Sequence, residues 1–127
     1  MSADQDCTAP RHFSPDRLLE DMFDNAAALE AVLHSVPAWM TDMRTRLHAA
    51  AAAGDVPQLS RHAHTLRGVL AQLHADHAVA LTRELEAVCR DASASPPTPA
   101  HPNLIALLDA LHALQVEIAA WISHRPA

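Results

Sequence analysis

Three residues with chemistry to offer stand on one ridge of a helix within the stretch Arg61-His-Ala-His-Thr-Leu-Arg-Gly-Val-Leu-Ala-Gln-Leu-His-Ala75: His64, Arg67 and Gly68. At helical spacing Leu59, Ala63, Leu66, Leu70 and Leu73 form an apolar seam in steps of three and four. His64 follows Ala63 by one residue, about 100° of rotation, and so leaves the seam. Arg61 lies one turn before it, Arg67 and Gly68 one turn after it, and Ala71 beyond them. An imidazole with an ordinary pKa of about 6.5 is largely neutral and nucleophilic near neutral pH. A guanidinium beside it is planar, permanently charged and matched to phosphoryl oxygens. The chemistry open to this ridge is transfer of an anionic group onto an imidazole nitrogen. Glycine inside a helix costs roughly 1 kcal/mol relative to alanine. The chain has only two glycines, and one placed a turn past His64 leaves room for a partner to come close.

A second candidate follows from counting along the helical hairpin. The chain turns at about residues 74 to 76; ten or eleven residues back from there is His64, and the same count forward reaches Leu85 and Glu86. Glu86 lies one residue past the seam position Leu85, at the groove between the two helices. It is the candidate to hold one imidazole nitrogen and thereby fix the tautomer and ring orientation of His64.

Ala63-His64-Thr65-Leu66-Arg67-Gly68 resembles the His-x-x-Lys/Arg-Gly signature of histidine-containing phosphotransfer (HPt) domains, the four-helix modules of multistep phosphorelays. The likeness runs upstream through Leu47, Gly54-Asp55 and Leu59, similar to the family's helix, Gly-Asp turn and following helix. Downstream, Leu85-Glu86 falls where the family usually places a Leu-Glu pair, and the similarity covers roughly residues 13 to 92. The resemblance implies a phosphorelay intermediate that accepts and donates a phosphoryl group at His64. The donor and acceptor would be aspartates of receiver domains, which bring their own Mg²⁺, so the chain needs no cofactor of its own. Arg67 would neutralise the transferring oxygens and Gly68 would admit the receiver's active-site loop. Arg61, Ala71 and Arg90 would form the docking surface, the two arginines steering an acidic receiver toward an otherwise acidic protein. Two departures stand out: Arg67 sits where Lys is commoner, and His74 where the family usually closes the helix with Gly. The first keeps the charge; the second implies a less favourable helix end.

The elements that must position these residues are all helices. Residues 1–12 read as a disordered tail and 13–124 as one HPt-like bundle. Ser14-Pro15 starts a short helix to about Phe23, with Ser as N-cap and Pro in the first turn. Asn25 caps a long helix to about Ala53 whose seam is Leu29, Val32/Leu33, Val36, Met40, Met43, Leu47 and Ala50. Pro37 inside it predicts a kink, not a break, because the apolar phase continues. Gly54 is the C′ stop; Asp55, Pro57 and Gln58 start the helix that carries His64, from about Val56 to Leu73. Asp76 is the predicted cap of the next helix, with seam Ala78, Leu81, Leu85, Val88 and Ala92. A connection over residues 93–102 holds four prolines, and a last helix from about Leu104 to His124 completes the set. The expected architecture is all-α: an up-down-up-down four-helix bundle with a short extra N-terminal helix.

Composition narrows the function classes. Half of the 127 residues are apolar but only 3% are aromatic, which favours closely packed helices over sheets. The formal net charge of −6 and the lack of a basic cluster argue against nucleic acid. No apolar run suggests a bilayer span of roughly 20 residues, and Cys7 and Cys89 make no disulfide framework, so a reducing cytoplasm is expected; the bundle itself is expected to be a monomer. His62, His74 and His77 lack the i, i+4 spacing and the thiolates of a metal site, so none is assigned. Nothing in the chain resembles an ATP site, so no autokinase activity is expected. The partners implied are receiver domains, those of a hybrid sensor kinase or of separate response regulators. The competing reading is a helical docking module that binds a receiver, a kinase or another enzyme without being phosphorylated.

Overall fold

A computed structural model describes residues 12–91 and 95–123, and among them the only regular structure is helical. The helices are α1 (Pro15–Asp21), α2 (Ala26–Ala52), α3 (Val56–Gln72), α4 (Asp76–Arg90) and α5 (Pro102–Ser123). The long helices pack in chain order, α2 on α3, α3 on α4 and α4 on α5, and α5 closes the ring on α2. α1 lies against α2 at the end where α3 turns into α4. This is the expected four-helix bundle with its short extra helix.

Local chemistry sets most of the boundaries. Ser14 Oγ accepts from the Arg17 N–H, Asn25 Oδ1 from the Ala28 N–H and Asp55 Oδ1 from the Gln58 N–H, each satisfying an otherwise orphaned donor at a helix start. α2 ends in a Schellman turn: Gly54 adopts φ +68°, and the Gly54 and Asp55 N–H groups donate back to Ala51 and Ala50. Pro37 lies inside α2 without ending it. Its carbonyl accepts from Thr41 Oγ1 and from Gln115 Nε2 on α5.

The core is aliphatic. Leu29, Leu33, Met40 and Leu47 of α2 meet Leu59, Leu66 and Leu70 of α3, Leu85 of α4 and Leu104, Leu107, Leu111 and Leu114 of α5, all fully buried. Phe13 and Leu18 extend it beneath α1. The His12 N–H donates to Glu117 on α5, so residue 12, expected in the tail, is tied to the bundle; the rest of the predicted tail, with Ser93, Ala94 and His124, lies outside the described residues.

Several expectations need correction. Asp76 is not the cap of α4: Ala75 takes that position with no side-chain cap bond, and the Asp76 carboxylate meets Arg17 at 3.4 Å instead. The reason is the turn. His74 adopts φ +57°, and His74 and Ala75 donate back to Ala71 and Leu70, so Ala75 serves both as the last residue of one motif and the first of the next. The α4 seam runs through Thr82 and Cys89 rather than Val88, which is half-buried; Ala92 is outside the described residues. On α2, Leu33 is buried and Val32 exposed. α5 begins at Pro102, and, contrary to expectation, is long and apolar enough by length and composition to cross a membrane. Its leucines nevertheless form one wall of the bundle core.

Candidate functional site

α3 presents its outward face between the two flanking grooves, with the apolar seam directed inward. From Val56 to Gln72 it carries arginines and histidines and no carboxylate, a locally positive helix on an acidic protein. His64 stands near its middle with its side chain 72% exposed, whereas Glu86 across the groove on α4 is only 12% exposed. The hairpin register is the one obtained by counting from the turn.

The three polar side chains form a closed set. Arg67 Nε donates to Glu86 Oε1 at 2.6 Å, and Arg67 Nη2 lies 3.1 Å from His64 Nδ1. Glu86 Oε2 lies 3.3 Å from the same Nδ1. Nδ1 is thus turned to the groove, and Nε2 has no hydrogen-bond partner among the described residues. A single ring nitrogen is either a donor or an acceptor. When Nδ1 carries the hydrogen it donates to Glu86, and Nε2 keeps a lone pair aimed at solvent. When Nδ1 is bare it accepts from Arg67, and Nε2 carries the hydrogen. Only the first arrangement leaves the exposed nitrogen nucleophilic. The Glu86 contact is the longer of the two.

Gly68 sits one turn along the same ridge. A Cβ built there meets nothing within 4 Å, its backbone is helical, and it is exposed. Neither strain nor core packing therefore demands glycine at this position. Of the expected docking residues, Arg61 is exposed with Nη1 on Gln58 Oε1. Ala71 is exposed at the rim of a hollow lined also by Arg17, His74, Asp76, Val79 and Arg83, and Arg90 is exposed at the end of α4. The structure brings His64, Arg67 and Glu86 into contact; Arg61, Ala71 and Arg90 surround them without touching them.

Two features were not foreseen. Arg67, expected to serve a transferring group directly, is engaged by Glu86. Arg83, exposed one turn from Glu86, adds a positive charge level with Arg67, a position the hairpin count would have found. Cys89, one turn further along α4, is buried. Burial raises its thiol pKa, with the Glu86 carboxylate adding in the same direction, so the thiol stays neutral beside the site. His62 is half-buried on another side of α3 and joins none of these contacts.

Comparison with known proteins agrees with this geometry. No curated protein matches the chain in sequence. The crystal structure of histidine-containing phosphotransfer protein B from Pseudomonas aeruginosa is similar in fold. It superposes with a TM-score of 0.75 at 18% sequence identity, covering 93% of this chain and 100% of that one. The model of the Hpt domain family matches residues 16–117, a span that contains α2, α3 and α4 whole and most of α1 and α5, so the chain belongs to the Hpt domain family, the phosphotransfer intermediates of two-component signalling.

Proposed function

We propose that His64 is the residue that carries the phosphoryl group, that Nε2 is the atom, and that receiver aspartates are the donor and the acceptor. The observation that carries this reading is the pairing of a largely exposed imidazole with a largely buried carboxylate on its groove-side nitrogen. In the forward step the Nε2 lone pair attacks the phosphorus of an aspartyl phosphate. The P–N bond forms, the P–O bond to the acyl group breaks, and the aspartate leaves as carboxylate. Nδ1 keeps its hydrogen throughout, so the ring becomes cationic and Glu86 offsets that charge. No proton has to be moved, which makes the step reversible and lets a second receiver collect the group. Transfer of this kind depends on positioning and electrostatics more than on further covalent chemistry.

Arg67 has two roles in this reading. Through Nε it holds Glu86, and once Nδ1 is committed as a donor its Nη2 is released toward the phosphoryl oxygens. Gly68 admits the receiver's active-site loop, and Arg61, Arg90 and Ala71 meet its surface. The divalent cation belongs to the receiver, and the setting is the cytoplasm, as a free protein or as a module of a hybrid sensor kinase. Incubation with phosphorylated receivers tests the assignment. Acid-labile, alkali-stable phosphate should appear on His64 and be absent from His64→Gln; binding of receivers with no phosphate gained would favour the docking-module reading instead.

A further inference from the structure

Of the large apolar side chains that the fold leaves exposed, two sit on one helix. Ile105 is 46% and Val116 55% exposed, both on α5. Only 28% of the helix's most apolar window is buried, and no described residue covers the outer face that carries Ile105 and Val116. Between those residues lie Asp109 and His112, both exposed and both without a polar partner among the described residues. The spacing 105, 109, 112, 116 runs in steps of four, three and four, which makes a single stripe along the helix. Its order is apolar, acidic, basic-capable, apolar, and that order is self-complementary. If two copies of α5 lie antiparallel about a two-fold axis midway between Asp109 and His112, Ile105 of each meets Val116 of the other. Asp109 of each then meets His112 of the other. The small side chains of Ala106 and Ala113 flank the stripe and allow close approach of the two helices.

The neighbouring helix adds a matching charge. A groove beside the stripe is lined by Thr41, Arg44, Thr45 and His48 of α2 and by Leu108 of α5. Arg44, half-buried there, hydrogen-bonds Gln115 and has no carboxylate partner among the described residues. Each copy's Asp109, arriving at His112, would bring a carboxylate to this basic edge. We propose that the outer face of α5 is a homodimer interface, with a second copy of this chain in antiparallel pairing as its occupant. An isologous contact of this kind closes at two copies and does not propagate. α5 and α3 pack against the same two helices, α2 and α4, and therefore stand diagonally across the bundle. Both His64 side chains remain open in the dimer. One helix per copy is a small interface, so association is concentration-dependent.

Sedimentation velocity of the full chain across a concentration series tests this. The mass should move from one copy toward two. Val116→Arg should hold it at one copy with helical content unchanged. Asp109→His sets imidazoles against imidazoles, and His112→Asp sets carboxylates against carboxylates. Each removes two exposed Asp–His contacts across the two-fold axis and should weaken association about threefold or more, while the double swap of both residues should restore it. A chain that stays at one copy at every concentration overturns the proposal, as does a double swap no better than its single variants.

Discussion

Replacing Gly68 separates stability from partner recognition. The position is helical and exposed, and an added Cβ finds open space. Gly68→Ala should therefore stabilise the fold by roughly 0.5–1 kcal/mol, the intrinsic difference between the two residues inside a helix. For a chain of this size that corresponds to a rise in Tm of about 2–5 °C. Gly68→Gln should also be neutral to stabilising, because Gln propagates a helix better than Gly and points away from the core. The two variants part ways at the partner. Helical side chains lean back over the turn that precedes them, so Gln at position 68 covers the turn that holds His64. A close-packed surface forced to accept such a side chain loses about 1–3 kcal/mol, or roughly ten- to a hundredfold in the rate of transfer from a phosphorylated receiver. A small phosphodonor such as phosphoramidate reaches Nε2 without that surface and should lose little. Thermal unfolding by circular dichroism and single-turnover transfer from labelled receiver read the two effects separately. If Gly68→Gln unfolds the protein, glycine serves packing and the docking argument fails. If receiver transfer is untouched, the partner approaches His64 from another side.

Other perturbations address the rest of the site and its support. His64→Gln should abolish phosphoryl acceptance and His62→Gln should retain most of it, read by acid-labile label; equal loss from both would move the site. Glu86→Ala removes a charge-assisted contact to the imidazole and unpairs Arg67, so transfer should slow about ten- to a hundredfold. Glu86→Gln, which keeps an acceptor oxygen, should recover much of that rate. His74→Val should cost about 1–3 kcal/mol in urea unfolding, since a β-branched residue is strained at the left-handed φ of this turn. His74→Gly should stay within about 1 kcal/mol of the parent, because relief of strain offsets loss of the 2.7 Å contact to Asp21. In a Cys7→Ser background, Cys89 should alkylate slowly at pH 8 and rapidly in urea. Its raised thiol pKa adds stability that is full below the unfolded thiol's ordinary range and declines as pH rises through and above it.

The ridge of α3 was legible because every term in its pattern is local. Seam spacing, an Asp cap, a Gly stop and one extra step to His64 are all set within a single helix and its flanks. The register of α3 on α4 was legible too, since counting from the turn reached Glu86. What the count did not reveal was that one carboxylate serves two residues. Arg67 and His64 are both within one turn of the same level, and only the side-chain packing in the groove shows Glu86 Oε1 taken by the guanidinium. The cap of α4 was misread because a residue other than glycine in the left-handed turn gives no sequence signal; His74 fills the role of Gly54 in the preceding turn. The α4 seam was misplaced at Val88 because hydropathy discounts Thr82. Its hydroxyl donates to the Val79 carbonyl at 2.7 Å, which satisfies the group and lets the side chain bury. Removal of one polar residue from the expected stripe shifted the reading around the helix.

With His64 as the proposed phosphoryl carrier, the Arg67–Glu86 pair bears on how the group would be held and released. A carboxylate opposite Nδ1, rather than a neutral amide, could in principle take the ring hydrogen and leave a phosphoimidazole that gives up its group poorly. Arg67 counters this. With Nε 2.6 Å from Oε1, the guanidinium occupies one carboxylate oxygen and leaves the other to accept from Nδ1–H. The phosphorylated ring then stays cationic, and a neutral imidazole is what leaves when the next aspartate attacks. The same guanidinium, through Nη2, lies 3.1 Å from Nδ1, a contact that is a hydrogen bond only when Nδ1 is bare. The oxygens of an approaching phosphoryl group would compete for Nη2 and leave Nδ1 free to donate to Glu86. Reactivity at Nε2 is thus coupled to arrival of the donor, and Arg67→Lys separates the parts. A single ammonium cannot hold Glu86 and reach Nδ1 in the same planar fork, so the variant should accept phosphate at least as readily from a small donor. Its phosphohistidine should hydrolyse or transfer more slowly if Glu86, less well neutralised, draws the ring proton. Parent and variant phosphoproteins with equal transfer rates to a receiver would show that the charge on Glu86 plays no part in how the group is released.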